Sequence, residues 1–85
     1  MNYEENFWYA TLELFGQPAT TNDEVFKVIS LAWGEDAAVD EVRPANPEEG
    51  EWDIPVPWKV QQDIFWRGEY VWEDHEGNRL VVTGA

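Results

Sequence analysis

The chain has 85 residues, enough for one domain with one core and too few for two. Hydrophobic residues make up 44% of it and aromatics 15%, with six Trp, four Phe and three Tyr, which excludes a disordered acidic tail. Eighteen Asp and Glu against five Lys and Arg give a formal net charge of −13. Such a surface repels phosphate backbones and anionic lipid and attracts basic protein surfaces, so direct nucleic-acid or membrane binding is not expected.

Residues 6–14 alternate as a strand does, with Trp8, Ala10, Leu12 and Leu14 on one face and Phe7, Tyr9, Thr11 and Glu13 on the other. Gly16-Gln17-Pro18 breaks it. Thr21-Asn22-Asp23-Glu24 has the capping-box form. Val25, Val28, Ile29, Ala32 and Trp33 then recur at helical spacing, and Gly34 is a natural stop. A helix is therefore expected over about 22–33, with Lys27 toward solvent. Residues 38–43 read as a short strand ended by Pro44, and residues 44–53 as an irregular acidic loop. Pro55 and Pro57 remove ladder donors, so residues 54–58 are expected on a sheet edge or in an extended polyproline-like stretch.

The last quarter reads as β structure. Ile64, Phe65 and Trp66 precede Arg67-Gly68, and the runs 69–73 and 79–83 flank a Gly77-Asn78 hairpin turn. Trp8 and Trp33 are assigned to the core, and Trp66 and Trp72 to packing across the sheet. The expectation is one α+β domain over 1–85. It has a small antiparallel or mixed sheet, one helix on one face and a C-terminal hairpin.

Little in the chain suggests catalysis. Cysteine is absent, Ser30 is the one serine and falls in the expected helix, and His75 is the one histidine and falls in the expected turn. Glu35, Asp36, Asp40 and Glu41, or the 48–53 loop, are the stretches with enough carboxylates to hold a metal. The spacing of a calcium loop is missing, however, and no Cys or His cluster suggests zinc. The reading is a non-enzyme with no cofactor and no metal. The opening Met-Asn-Tyr-Glu-Glu is acidic where a secretory leader would be basic, and no run is long enough to span a bilayer, so a cytoplasmic protein is expected.

Two features can carry binding. Glu35, Asp36, Asp40, Glu41, Glu48, Glu49, Glu51 and Asp53 crowd one stretch in which Arg43 is the only base. Same-face carboxylates on a strand lie about 6.5–7 Å apart, near the interval between neighbouring phosphates, so such a stretch can imitate a nucleic-acid backbone. The second feature is the excess of Trp, a residue enriched at interface hot spots. Trp52, set between Glu51 and Asp53, is the expected anchor, with Trp58 next.

Three stretches carry a resemblance: Phe7-Trp8-Tyr9-Ala10-Thr11-Leu12-Glu13, Asp23-Glu24 through Ala32-Trp33, and Val39-Asp40-Glu41-Val42-Arg43-Pro44. Together they resemble the small phage-encoded inhibitor of bacterial RNA polymerase found in T7-like phages. That family has a Phe-Trp-Ala-Thr-Val-Glu strand, a helix with Asp-Glu and Ala-x-x-Trp-type residues, and a Val-x-x-Val-Arg-Pro strand. The likeness covers residues 7–44, and the rest of the chain has no counterpart in the shorter family. It implies a β-α-β core and a large nucleic-acid enzyme as partner, with Glu13 and Arg43 at polymerase-contacting positions. Tyr9 is an insertion, Glu41 stands where the family has an arginine, and the family's hairpin partner for the first strand has no evident match.

The function expected from the sequence is that of an acidic, phage-encoded inhibitor. It would occupy a basic nucleic-acid-binding site of a host RNA polymerase, CRISPR effector or restriction enzyme. The alternative is an adaptor or structural subunit, acidic for solubility, that binds through an apolar patch.

Overall fold

A computed structural model describes residues 7–35 and 41–83. Strand β1, Phe7–Leu14, turns at Phe15-Gly16 into the two-residue β2, Gln17–Pro18. Helix α1, Asn22–Trp33, follows, then β3, Arg43–Asn46, a 3₁₀ turn at Pro47–Glu49, and β4, Glu51–Pro55. A second helix, α2, Trp58–Arg67, precedes the hairpin of β5, Glu69–Glu73, and β6, Arg79–Thr83. The fold is α+β, and every strand pairing in its sheet is antiparallel, in the order β3-β4-β1-β6-β5 with β2 on β1.

The alternation of β1 places Ala10 and Leu12 fully out of solvent, and the inner faces of β4 and β6 add Trp52, Ile54, Leu80 and Val82. Helix α1 lies on this face with Val25, Val28 and Ile29, and α2 brings Val60 and Ile64 into the same core. Each such aliphatic side chain contributes about 1.5–3 kcal/mol on burial. Helix α1 starts as its sequence requires. The Thr21 hydroxyl accepts from the Glu24 amide at 3.3 Å while the Glu24 carboxylate accepts from the Thr21 amide at 3.2 Å. The same carboxylate takes the Thr20 amide at 2.9 Å, and these bonds lower the Glu24 pKa from its ordinary value. At the far end of α1, Trp33 Nε1 donates to the Tyr70 hydroxyl at 3.2 Å, tying the helix to β5.

Four expectations change. The stretch read as an acidic loop, 44–53, is a β3–β4 hairpin closed by the 3₁₀ turn, and Glu41 and Val42 precede its first strand. Pro44 is tolerated because β3 is an edge strand, bulged between Pro44 and Asn46. Ile54 and Pro55 end an interior strand. Pro55 can sit there because pairing with β3 stops at Asp53, leaving only Phe7 of β1 opposite it. Residues 63–66 belong to α2, not to a strand. Pro57 caps its start, Val60 and Ile64 point inward one turn apart, and Gly68, in left-handed conformation, stops it. Trp66 is therefore 80% exposed on a helix and cannot pair with Trp72. Finally, β2 gives β1 a short hairpin partner after Gly16.

Gly50 sits where this edge of β1 passes from β4 to β2. Its carbonyl accepts from Leu12 N at 2.9 Å, and Leu12 O accepts from Ala19 N at 3.0 Å. With φ at +74° and a would-be Cβ only 2.5 Å from Leu12 O, no side chain fits. Gly50→Ala is expected to cost about 2–3 kcal/mol, seen as a lowered urea midpoint with an unchanged slope.

Candidate functional site

The face of the sheet away from the core carries the alternate residues. Among the described residues neither helix lies over it. Strand β1 contributes Tyr9 and Glu13, β4 Glu51 and Asp53, β5 Glu69 and Glu73, β3 Arg43 and β6 Arg79, aligned by cross-strand register. Glu51 and Asp53 stand two residues apart on one strand, about 6.5–7 Å. Glu48 and Glu49 extend the acidic row as exposed residues of the 3₁₀ turn.

Both arginines of this face are already engaged. Arg43 lies opposite Asp53, stacks 4.0 Å from the Phe7 ring centroid, and pairs with Glu41 at 3.5 Å. Arg79, between Glu13 and Glu73 in the register, reaches Glu73 at 3.7 Å. These are exposed pairs and hold little energy. A depression of about 220 Å³ opens between Thr11, Glu13, Arg79 and Val81. Tyr9 has its pKa raised, first by interaction of its hydroxyl with the Glu51 carboxylate and then by loss of hydration. The negative charges of Glu51 and Glu49 add to the rise.

Of the residues expected to bind a partner, Glu13, Arg43, Glu51 and Asp53 share this face, with Glu41 beside Arg43 and Glu48 and Glu49 at the hairpin end. Glu35 is exposed just beyond the Gly34 cap of α1 and is not on a strand of this face. Asp36 and Asp40 lie outside the described residues. Trp52 is a correction. It is 2% exposed and its Nε1 donates to Ala19 O at 2.8 Å, so it is a core residue and not a surface anchor. An alternating strand through 51–55 turns Trp52 inward with Ile54 and turns its acidic neighbours outward. The same alternation in the C-terminal hairpin brings Glu69 and Glu73 to the acidic face, a signal present in the sequence but not used there.

A second exposed surface lies on α2. Trp58 is 69% exposed and Phe65 79%, and with Trp66 they are the largest apolar groups left in water. With Trp8, Gln61 and Gln62 they line a groove of about 500 Å³. Phe65 and Trp66 meet edge to face, centroids 5.3 Å apart. Trp8 Nε1 is out of contact with solvent and has no hydrogen-bond acceptor among the described residues.

No protein-family model matches the chain, and neither does any curated protein or solved structure. The chemistry of its surface is therefore the basis for reading its function. Among the described residues no three His, Asp or Glu side chains gather as metal ligands. His75 is exposed in the β5–β6 turn and Ser30 is exposed on α1. No helix of the described residues is long and apolar enough to cross a membrane.

Proposed function

We propose that this chain is a non-catalytic acidic inhibitor that docks its open sheet face onto a basic nucleic-acid-binding surface of another protein. The observation that carries the proposal is the row formed by Glu13, Glu51 and Asp53, continued by Glu48 and Glu49, on a face with no free arginine. An antiparallel sheet holds such carboxylates at a fixed spacing along a strand close to that of phosphates. They are thus organised before a partner arrives, and little ordering entropy remains to be lost on binding. The net charge of −13 speeds encounter with a basic groove. In a phage or mobile element the target would be a host RNA polymerase, CRISPR effector or restriction enzyme, met in the host cytoplasm.

The test is capture of partners on the immobilised chain from nuclease-treated bacterial lysate, washed at low and at high salt. A nucleic-acid enzyme retained at low salt and released at high salt is the expected result. The variant E48Q/E49Q/E51Q/D53N should keep the fold and lose about tenfold or more in affinity for that partner. Undiminished capture by the variant would remove the acidic face from the function. The exposed aromatics of α2 favour a second reading, an adaptor with an apolar interface. Its partner would stay bound at high salt and be indifferent to the four neutralising changes.

A further inference from the structure

Helix α2 is apolar on two sides. Val60 and Ile64, four apart, enter the core. Trp58, Gln61, Gln62, Phe65 and Trp66, at i, i+3, i+4, i+7 and i+8, form a second stripe that faces the groove. That spacing belongs to a helix with a partner on each side, and the described residues supply a partner on only one. We infer that the second stripe is covered by another copy of this chain, α2 packing antiparallel on α2 about a twofold axis.

Two observations select a second copy. The stripe is self-complementary about its middle, because Trp58 stands four residues before Gln62 and Trp66 four residues after it. An antiparallel pair with Gln62 at the axis places Trp58 of each copy against Phe65 and Trp66 of the other, the isologous pattern a twofold requires. The glutamines meet at the centre, where each amide offers both a donor and an acceptor.

Area and charge agree with this. Aromatic side chains bury about 150–250 Å² each, so these three at their observed exposures offer about 450 Å² per copy. Two copies with the neighbouring Trp8 and glutamines then offer at most roughly 1,000 Å², the lower limit for a specific interface and the size of a weak dimer. The groove lining holds no carboxylate. Helix α2 also carries Lys59 and Arg67 against the single acid Asp63, so two strongly acidic chains meet where they repel least. The acidic sheet face, on the other side of the molecule from the helices, stays free in both copies. The dimer does not depend on what that face binds.

Sedimentation equilibrium of the full chain tests this from low micromolar to about 100 µM, in moderate and in high salt. The expected result is a concentration-dependent rise from the 9.9 kDa monomer to twice that mass, stronger in high salt. Phe65→Ser with Trp66→Ser should hold the mass at the monomer value. Gln62→Glu, a change at an exposed site that the fold tolerates, should weaken the dimer about tenfold or more by setting two carboxylates across the axis. A wild-type chain that stays monomeric throughout overturns the proposal and assigns the stripe to a different protein. A dimer indifferent to Gln62→Glu and to the double change overturns it as well.

Discussion

Replacing Trp52 by Ala should leave much of the chain unfolded at room temperature. The indole fills the core between the hairpin and β1, opposite Ala10 on one side and Pro44 on the other. Its ring is 2% exposed, and truncating a buried Trp costs about 3–5 kcal/mol. The Ala19 carbonyl, which accepts the indole N–H at 2.8 Å, would also lose its partner, for about 1–3 kcal/mol more. A domain of this size has a total stability near the lower end of about 5–15 kcal/mol. Trp52→Phe separates the two effects: it keeps most of the packing and should cost about 1–3 kcal/mol through the orphaned carbonyl. Urea titration followed by far-UV circular dichroism measures both. An unchanged midpoint in Trp52→Ala would return Trp52 to the surface and to the role of interface anchor.

The second large effect is expected at Asn78, the one buried polar residue among those described. Its Oδ1 accepts the Phe15 amide at 3.0 Å, its Nδ2 donates to Asp74 at 2.8 Å, and its own amide donates to Asp74 at 3.1 Å. One side chain thus joins the β5–β6 turn to the β1–β2 turn. The Gly16 amide, bonded to Gly77 O at 2.9 Å, seals the junction. The isosteric change Asn78→Asp keeps the acceptor for Phe15 but turns the donor to Asp74 into a second carboxylate. A buried charge facing a like charge is expected to cost about 3–5 kcal/mol at neutral pH.

The pH dependence of the two proteins should have opposite signs. In the wild type the Asn78 side chain, ahead of the Asn78 and Glu76 amides, holds the Asp74 pKa below its ordinary 3.8. A depressed carboxyl binds fewer protons folded than unfolded. Its contribution is therefore complete above the unfolded value and is lost as pH falls through the folded one. In Asn78→Asp the new carboxyl has its pKa raised by burial and by Asp74, so stability should recover as pH falls below neutral through that raised value. Melting temperatures from pH 7 down to about pH 2 distinguish the two. The variant gains stability above about pH 4, where the wild-type Asp74 contribution is still complete, and the wild type loses that contribution only below it. Parallel profiles would show that position 78 is not buried against Asp74.

Much of the architecture was legible from local signals. The capping box at Thr21 and Glu24, the stripe from Val25 to Trp33 and Gly34 specify α1 because each acts within a turn of helix. Strand β1 and the strands 69–73 and 79–83 follow from alternation alone. Helix α2 was misread because its inward pair, Val60 and Ile64, is outnumbered by outward aromatics. An aromatic run such as Ile64-Phe65-Trp66 has strand character until the partner of each face is known. The candidate site was legible in its composition but not in its shape. The acid-rich stretch was visible, and Glu51 and Asp53 lie within it. That Trp52 points the other way depends on 51–55 being a strand, and the two prolines nearby argued against one.

The sequence by itself determined the α+β class, α1 with its cap, the C-terminal hairpin and an acidic surface, features carried by residues close together in the chain or by composition. Only the tertiary structure decided that the 44–53 stretch is a hairpin beside β1. It also decided that Trp52 is core, that α2 leaves an aromatic stripe in water, and that Glu13, Glu51 and Asp53 share one face with Glu69 and Glu73. The physical reason is register. Which face a strand residue takes is settled by hydrogen bonds to strands distant in sequence, and a shift of one residue would exchange the core for the acidic surface.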